Sequence, residues 1–146
     1  MAEQSFRFSI VIPVRFADLD ALGHVNNAKY LTYFEEARMA YWRNLFPLDP
    51  DDLTTFSFIL ANANVAFRSA AKVGDTLRVS VRVTEFGTKS FRMEYKIEND
   101  DTREHVADGS TVQVMYDYEK EIAISVPDEM KKKILEFEDK FLTTSF

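Results

Sequence analysis

The chain has 146 residues and a mass of 16.9 kDa, long enough to bury a core of its own. It is 46% apolar and carries 13 Phe, 6 Tyr and 1 Trp, which excludes a disordered chain; four Gly and four Pro exclude collagen-like and low-complexity readings. It has no Cys and a formal net charge of −6, which excludes a disulfide framework, a thiolate nucleophile and a Cys-ligated metal, and argues against nucleic acid or an anionic membrane as the main partner.

The N-terminus carries Glu3 and no apolar run, so no signal peptide is expected. The longest uncharged stretch, Leu53–Phe67, spans 15 residues and holds Thr, Ser and Asn, too short and too polar for a membrane helix. The expectation is a single domain over 1–146, located in the cytoplasm.

In chain order, Phe6, Phe8, Ile10, Ile12, Val14 and Phe16 share one parity, which predicts a strand over 6–16 with one buried face. Pro13, on the other parity, points to an edge position. Residues 17–27, rich in Asp, Gly and Asn, predict a loop or turn. Tyr30, Tyr33, Phe34, Ala37, Tyr41 and Leu45 repeat at three-four spacing and predict a helix over about 28–45, with Asn26 or Asn27 as its cap. Four strands follow: Phe56–Phe67, Leu77–Thr84, Phe91–Glu98 and Val112–Tyr116. Short connections at Gly87 and Asn99–Thr102 make antiparallel hairpins of them. Pro127 opens a terminal amphipathic helix with Met130, Ile134, Leu135 and Phe141 on its apolar side, and with Lys131, Lys132 and Lys133 read as a solvated face. One long helix with one antiparallel sheet is an α+β arrangement of five strands plus a C-terminal helix.

The segment from Arg15 to Arg38 concentrates the candidate chemistry, with two Asp, one His and two Asn in the turn before a buried helix. A helix N-terminus offers unpaired N–H groups and partial positive charge, which polarise a carbonyl and stabilise an oxyanion. A carboxylate just upstream can attack as a nucleophile or draw a proton from water. The same residue types also serve as turn and cap residues, and both readings stay open on residue chemistry alone.

The run Asp18-Leu19-Asp20-Ala21-Leu22-Gly23-His24-Val25-Asn26-Asn27, followed by Tyr30, Tyr33, Phe34, Glu35 and Arg38, resembles the hotdog-fold thioesterases of the 4-hydroxybenzoyl-CoA thioesterase-like branch. His24-Val25-Asn26-Asn27 is also similar to a part of plant acyl-ACP thioesterases. Phe67-Arg68 through Val73-Gly74-Asp75, and Gly87-Thr88-Lys89-Ser90-Phe91, resemble further family turns, with Ala70 near where the family usually has Pro. The resemblance covers about residues 6–118. It implies an antiparallel sheet wrapped round a central helix and a thioester substrate on CoA or acyl carrier protein. It also implies no metal, no cofactor other than the CoA of the substrate, and a homodimer or homotetramer. It places the catalytic carboxylate on Asp20 and the carbonyl-polarising amide near Asn27.

His24 is a candidate for orienting water or thioester, and Asn26 for the same role or for capping. Asp18 reads as a structural acceptor: Asp-x-Asp also serves metal-dependent transferases, but no third ligand cluster accompanies it. Another branch of the family places its acid on the helix, which makes Glu35 the alternative; its bland account is a buried ion pair with Arg38. Arg68, Lys72, Lys89 and Arg92 are candidates for the CoA phosphates, with Lys89 and Ser90 preferred and Arg92 read as a surface charge. His105 reads as a strand residue. The expected activity is acyl-CoA hydrolysis; the alternatives are a non-catalytic acyl-CoA-binding hotdog protein and a hotdog dehydratase or hydratase.

Overall fold

The computed structural model describes residues 6–46 and 57–138. The elements in order are β1 (Phe8–Pro13), a 3-10 turn (Phe16–Asp18), α1 (Lys29–Leu45), β2 (Phe58–Phe67), β3 (Thr76–Phe86), β4 (Ser90–Asn99), β5 (His105–Asp117), β6 (Ile122–Ala123) and α2 (Asp128–Phe137). The α+β order predicted from periodicity is present. The strands join as β1-β3-β4-β5-β2, with β6 on β5. That makes six strands among the described residues where periodicity predicts five. The sixth has two residues, too few for any pattern. It forms because Asp117 Oδ1 accepts the N–H groups of Glu119 and Lys120, and Glu121 takes φ 56°, turning the chain back onto Tyr116.

β1 is an edge strand, as Pro13 suggests, running antiparallel to β3 from Phe8 opposite Val81 to Pro13 opposite Thr76. It is shorter than the predicted 6–16. Val14 donates to Asp75 O, and Phe16, in the 3-10 turn, is 83% exposed. β5 is longer than predicted because Ala107, Asp108, Gly109 and Ser110 break the alternation without breaking the ladder. The two hairpins close tightly: Gly87 N–H meets Ser90 O at 2.8 Å, and Asn99 Oδ1 accepts from Asp101 and Thr102.

The chain divides into two compact units that share strands. The first holds residues up to Tyr41, Val65–Val81 and Tyr95–Gly109. Here α1 buries Tyr30, Tyr33, Phe34, Ala37 and Tyr41 at the predicted spacing. Phe34 stacks on Tyr95 of β4 at 4.3 Å, Phe8 meets Tyr41 edge-on at 5.7 Å, and Phe67 meets Tyr30 at 5.3 Å. Each fully buried ring among these, such as Phe34, Tyr41 and Tyr30, contributes roughly 1.5–3 kcal/mol relative to exposure. Arg38, also buried, donates from Nη1 to Tyr95 Oη at 3.0 Å.

The second unit holds Trp42–Asn64, Arg82–Glu94 and residues from Ser110 on. Trp42 sits 5.4 Å from Phe91 and 5.9 Å from Phe58. Met130 and Ile134 of α2 are buried, Leu135 is half-buried, and Phe141 lies outside the described residues. The lysine run is more than a solvated face. Lys131 Nζ lies 5.9 Å from the centre of the Phe86 ring and Lys133 Nζ 5.2 Å from that of Phe46, within cation–π range, and Lys133 Nζ also donates to Leu45 O at 3.4 Å.

Candidate active site

The 18–27 segment folds as a short closed turn. Leu19 bridges Val25, Asp20 N–H donates to His24 O at 2.7 Å, and Asn26 N–H donates to Asp18 O at 2.8 Å. Gly23 has φ +80°, a conformation that costs a side-chain-bearing residue and lets the turn reverse in four residues. A second strap, residues 68–75, holds the turn from outside: His24 bridges Lys72, and Val25 N–H donates to Ala71 O.

Asp20 stands exposed at the head of this turn. Its Oδ1 accepts the N–H groups of Leu22 at 2.9 Å and His24 at 3.2 Å. Its Oδ2 has no partner among the described residues. Two of the chain's own amides therefore fix the carboxylate's orientation and leave one oxygen open. Along the returning limb, Asn26 Oδ1 accepts the Ala28 N–H, and Lys29 and Tyr30 donate back to the Asn26 and Asn27 carbonyls. The Asn27 N–H has no partner among the described residues. An amide at a helix start with no acceptor carries the positive end of the helix dipole.

Asp18 lies beneath, 1% exposed. Oδ2 accepts the Arg15 N–H at 3.0 Å and the Tyr33 hydroxyl at 2.9 Å, and Oδ1 accepts Arg15 Nη2 at 3.0 Å, with Lys29 Nζ at 4.0 Å. Burial alone would push this carboxyl up. The Arg15 and Tyr33 hydrogen bonds outweigh it and hold the carboxyl below its ordinary value. Burial and the bond to Asp18 push the Tyr33 phenol up. By linkage, the Asp18 contribution is present above the unfolded carboxyl value of about 3.9 and is lost as pH falls through the lower folded value; the Tyr33 contribution is present below about 10 and is lost as pH rises through its raised value. Asp18→Asn should therefore melt below wild type at neutral pH, with the gap closing toward pH ~3. A gap that stays constant in thermal melts across this range would remove Asp18 from the acid response.

Asp20, His24, Asn26 and Asn27 come together in this turn, within the first unit. His24 contributes through its backbone, and its ring is exposed without a hydrogen bond among the described residues. The Asn26 side-chain carbonyl is spent on capping. Glu35 is 68% exposed and 3.9 Å from Arg38 Nη2, so the predicted ion pair is only half-buried. Arg68, in the same unit, pairs with Asp108 at 3.2 Å, and His105 meets the other oxygen of Asp108 at 2.6 Å. Lys89 and Ser90 belong to the second unit, in the β3–β4 turn, where Lys89 is exposed and has no ion pair among the described residues. Arg92 lies 3.8 Å from Glu94. Arg15 and Tyr33 acquire their place at Asp18 only in the fold. Arg15 leaves a weak trace in its three-residue spacing, and Tyr33 reads in the sequence simply as core.

A long helix on an antiparallel sheet, with a carboxylate-bearing turn ahead of the helix, defines the hotdog class of thioesterase-type proteins. The family model described as Thioesterase-like superfamily matches residues 14–134, and the chain belongs to that superfamily. It is 30% identical over 126 residues to the long-chain acyl-CoA thioesterase FadM of Escherichia coli (strain K12), covering 84% of this chain and 93% of FadM. It is equally 30% identical, over 131 residues, to the uncharacterized protein YsmA of Bacillus subtilis (strain 168), covering 90% and 87%. A thioesterase from Thermus thermophilus, solved in complex with coenzyme A and Zn, aligns with a TM-score of 0.84 at 32% identity, covering 96% of this chain and 100% of that one. Among the described residues of the present chain, no three His, Cys, Asp or Glu side chains gather to hold a metal ion. No described helix is long and apolar enough to cross a membrane.

Proposed function

We propose that this chain is an acyl-CoA thioesterase that hydrolyses an acyl thioester to the free acid and CoA, with Asp20 as its acid and the Asn27 amide as its oxyanion donor. One observation carries the assignment of roles: the open Oδ2 of Asp20 and the unpartnered N–H of Asn27 belong to one closed turn at the start of α1. In one route Oδ2 attacks the carbonyl carbon, the thiolate leaves, and water then cleaves the mixed anhydride. In the other, Oδ2 takes a proton from water as that water attacks. Either way negative charge builds on the carbonyl oxygen, the Asn27 amide stabilises it, and the departing thiolate ends protonated. His24 and Asn26 flank this centre.

A thiol-release assay over a panel of acyl-CoA and acyl-ACP substrates tests the reading. Release supports the hydrolase; saturable binding without release would make the chain an acyl-CoA-binding protein. The cysteine-free composition fits a cytoplasmic enzyme.

CoA is polyanionic, and Lys89 with Ser90 is the proposed contact for its phosphates, with Arg68 secondary because Asp108 already holds it. Lys89→Ala should raise KM severalfold with little change in kcat, since a nucleotide contact is the same in ground and transition states. The effect should shrink with substrates lacking the nucleotide, and an unchanged KM would move the phosphate site elsewhere.

The assembly proposed is a C2 dimer, alone or paired into a tetramer. Among the described residues β2 pairs with β5 alone and exposes Ile59 and Leu60, an open apolar edge of the kind that invites a neighbour. Sedimentation should give a mass of at least twice 16.9 kDa; a fully active monomer would rule the dimer out.

A further inference from the structure

The turn that carries Asp20 runs into α1 at Asn26 and Asn27, and its other limb is fastened to α1 by Asp18. Its carbonyl accepts the Asn26 N–H, closing the turn's base, while its carboxylate reaches the helix. Three side-chain or backbone donors of Arg15 and Tyr33 meet that carboxylate, and they are not equivalent. The Arg15 side chain is 67% exposed, so its bond competes with water. The Arg15 N–H lies on the same local segment and cannot tie the turn to anything else. The Tyr33 hydroxyl, at 2.9 Å, comes from the second turn of α1 on a side chain 2% exposed. It is a dry bond to a charged acceptor, and charge-assisted bonds of this kind are the stronger and more directional ones.

The Tyr33 ring is itself fixed. It packs edge-on against Tyr30 at 6.0 Å, and Tyr30 packs in turn on Phe67. The phenol oxygen is therefore held by the core while the carboxylate it grips is held by the turn. Asp18 and Asp20 are separated by Leu19, whose bridge to Val25 transmits the position of one end of the limb to the other. Without the Tyr33 bond, the limb from Asp18 to Asp20 is held against the returning limb by the cross-turn bonds from Asn26 N–H to Asp18 O and from Asp20 N–H to His24 O, and any slip of that limb carries Asp20 Oδ2 away from the Asn27 amide.

We propose that Tyr33 is a positioning residue: through Asp18, its hydroxyl sets the placement of the Asp20 turn against the first amides of α1. The proposal rests on the reading of Asp20 as the acid. The role requires the hydroxyl alone, because the ring's packing is satisfied by Phe as well as by Tyr.

Tyr33→Phe is the test, measured as kcat and KM with saturating acyl-CoA, alone and in an Asp20→Asn background. With the acid in place, kcat should fall roughly tenfold while KM stays within about twofold, because misplacing a reacting group by under an ångström costs on this order. In the Asp20→Asn background the same substitution should leave the residual rate unchanged, since no acid remains to be placed. A purely structural role would lower the melting temperature and leave the kcat of the folded enzyme intact. An equal loss in both backgrounds, or a kcat within twofold of wild type in Tyr33→Phe, would overturn the proposal. If Asp20→Asn alone retains its rate, the acid assignment falls and the proposal falls with it; if Asp20→Asn is crippled while Tyr33→Phe is not, only the positioning role is lost. Asp18→Ala serves as the second variant should Tyr33→Phe fold poorly: it leaves the Tyr33 hydroxyl without its acceptor, and the folded enzyme should show the same loss of kcat with KM within about twofold.

Discussion

Asp20→Asn should lower kcat by roughly a hundredfold or more, about 2.7 kcal/mol of transition-state stabilisation, the scale of a lost general base or nucleophile. Asn keeps the side-chain carbonyl that can accept from Leu22 and His24, so the turn should hold its shape. What is lost is the charge and basicity of the open oxygen. KM and the melting temperature should therefore change little. The matched control is Glu35→Gln, on a side chain 68% exposed, which should cost far less. A folded Asp20→Asn enzyme turning over at a near-normal rate would refute the assignment, and a large loss confined to Glu35→Gln would move the acid onto the helix.

The second large effect is on stability. Phe34 is fully buried and stacked on Tyr95, at the point where α1 meets β4 in the first unit. Phe34→Ala removes the ring and leaves a cavity between helix and strand, a change that typically costs roughly 3–5 kcal/mol. For a chain of this size that lowers Tm by roughly 10 °C. Phe34→Leu, which refills most of the volume, should lose much less. Thermal unfolding followed by circular dichroism decides it, and a Phe34→Ala melt within a few degrees of wild type would mean that the helix is held elsewhere.

What could be read from the sequence depended on the range of the interaction involved. Leu77, Val79, Val81 and Val83 alternate with polar neighbours, so β3 is legible from a single face rule. Tyr30, Phe34, Ala37 and Tyr41 announce α1 in the same way. Phe16 obeys the parity of β1 yet ends up on the surface, because the 3-10 turn starts there and parity is silent about where a ladder stops. The motif around Asp20 is contiguous, so its closed turn is anticipated by Gly23 and the Asn pair. The partner of Asp18 lies 15 residues away on a helix, where a tyrosine looks like any other core aromatic. Lys131 and Lys133 show the same limit: a run of three like charges reads as solvated, and only the fold places two of them over aromatic rings.

The two amides that grip Asp20 Oδ1 have a consequence for selectivity. A carboxylate tethered by its own neighbours cannot swing out to follow a carbonyl that arrives off centre. With Asp20 proposed as the acid, discrimination among acyl groups would rest with the substrate: a chain that seats its thioester slightly high or low would be captured but left unreacted. Across a series of chain lengths, preference should accordingly be written in turnover more than in affinity, and good binders among poor substrates should act as inhibitors of the favoured ones.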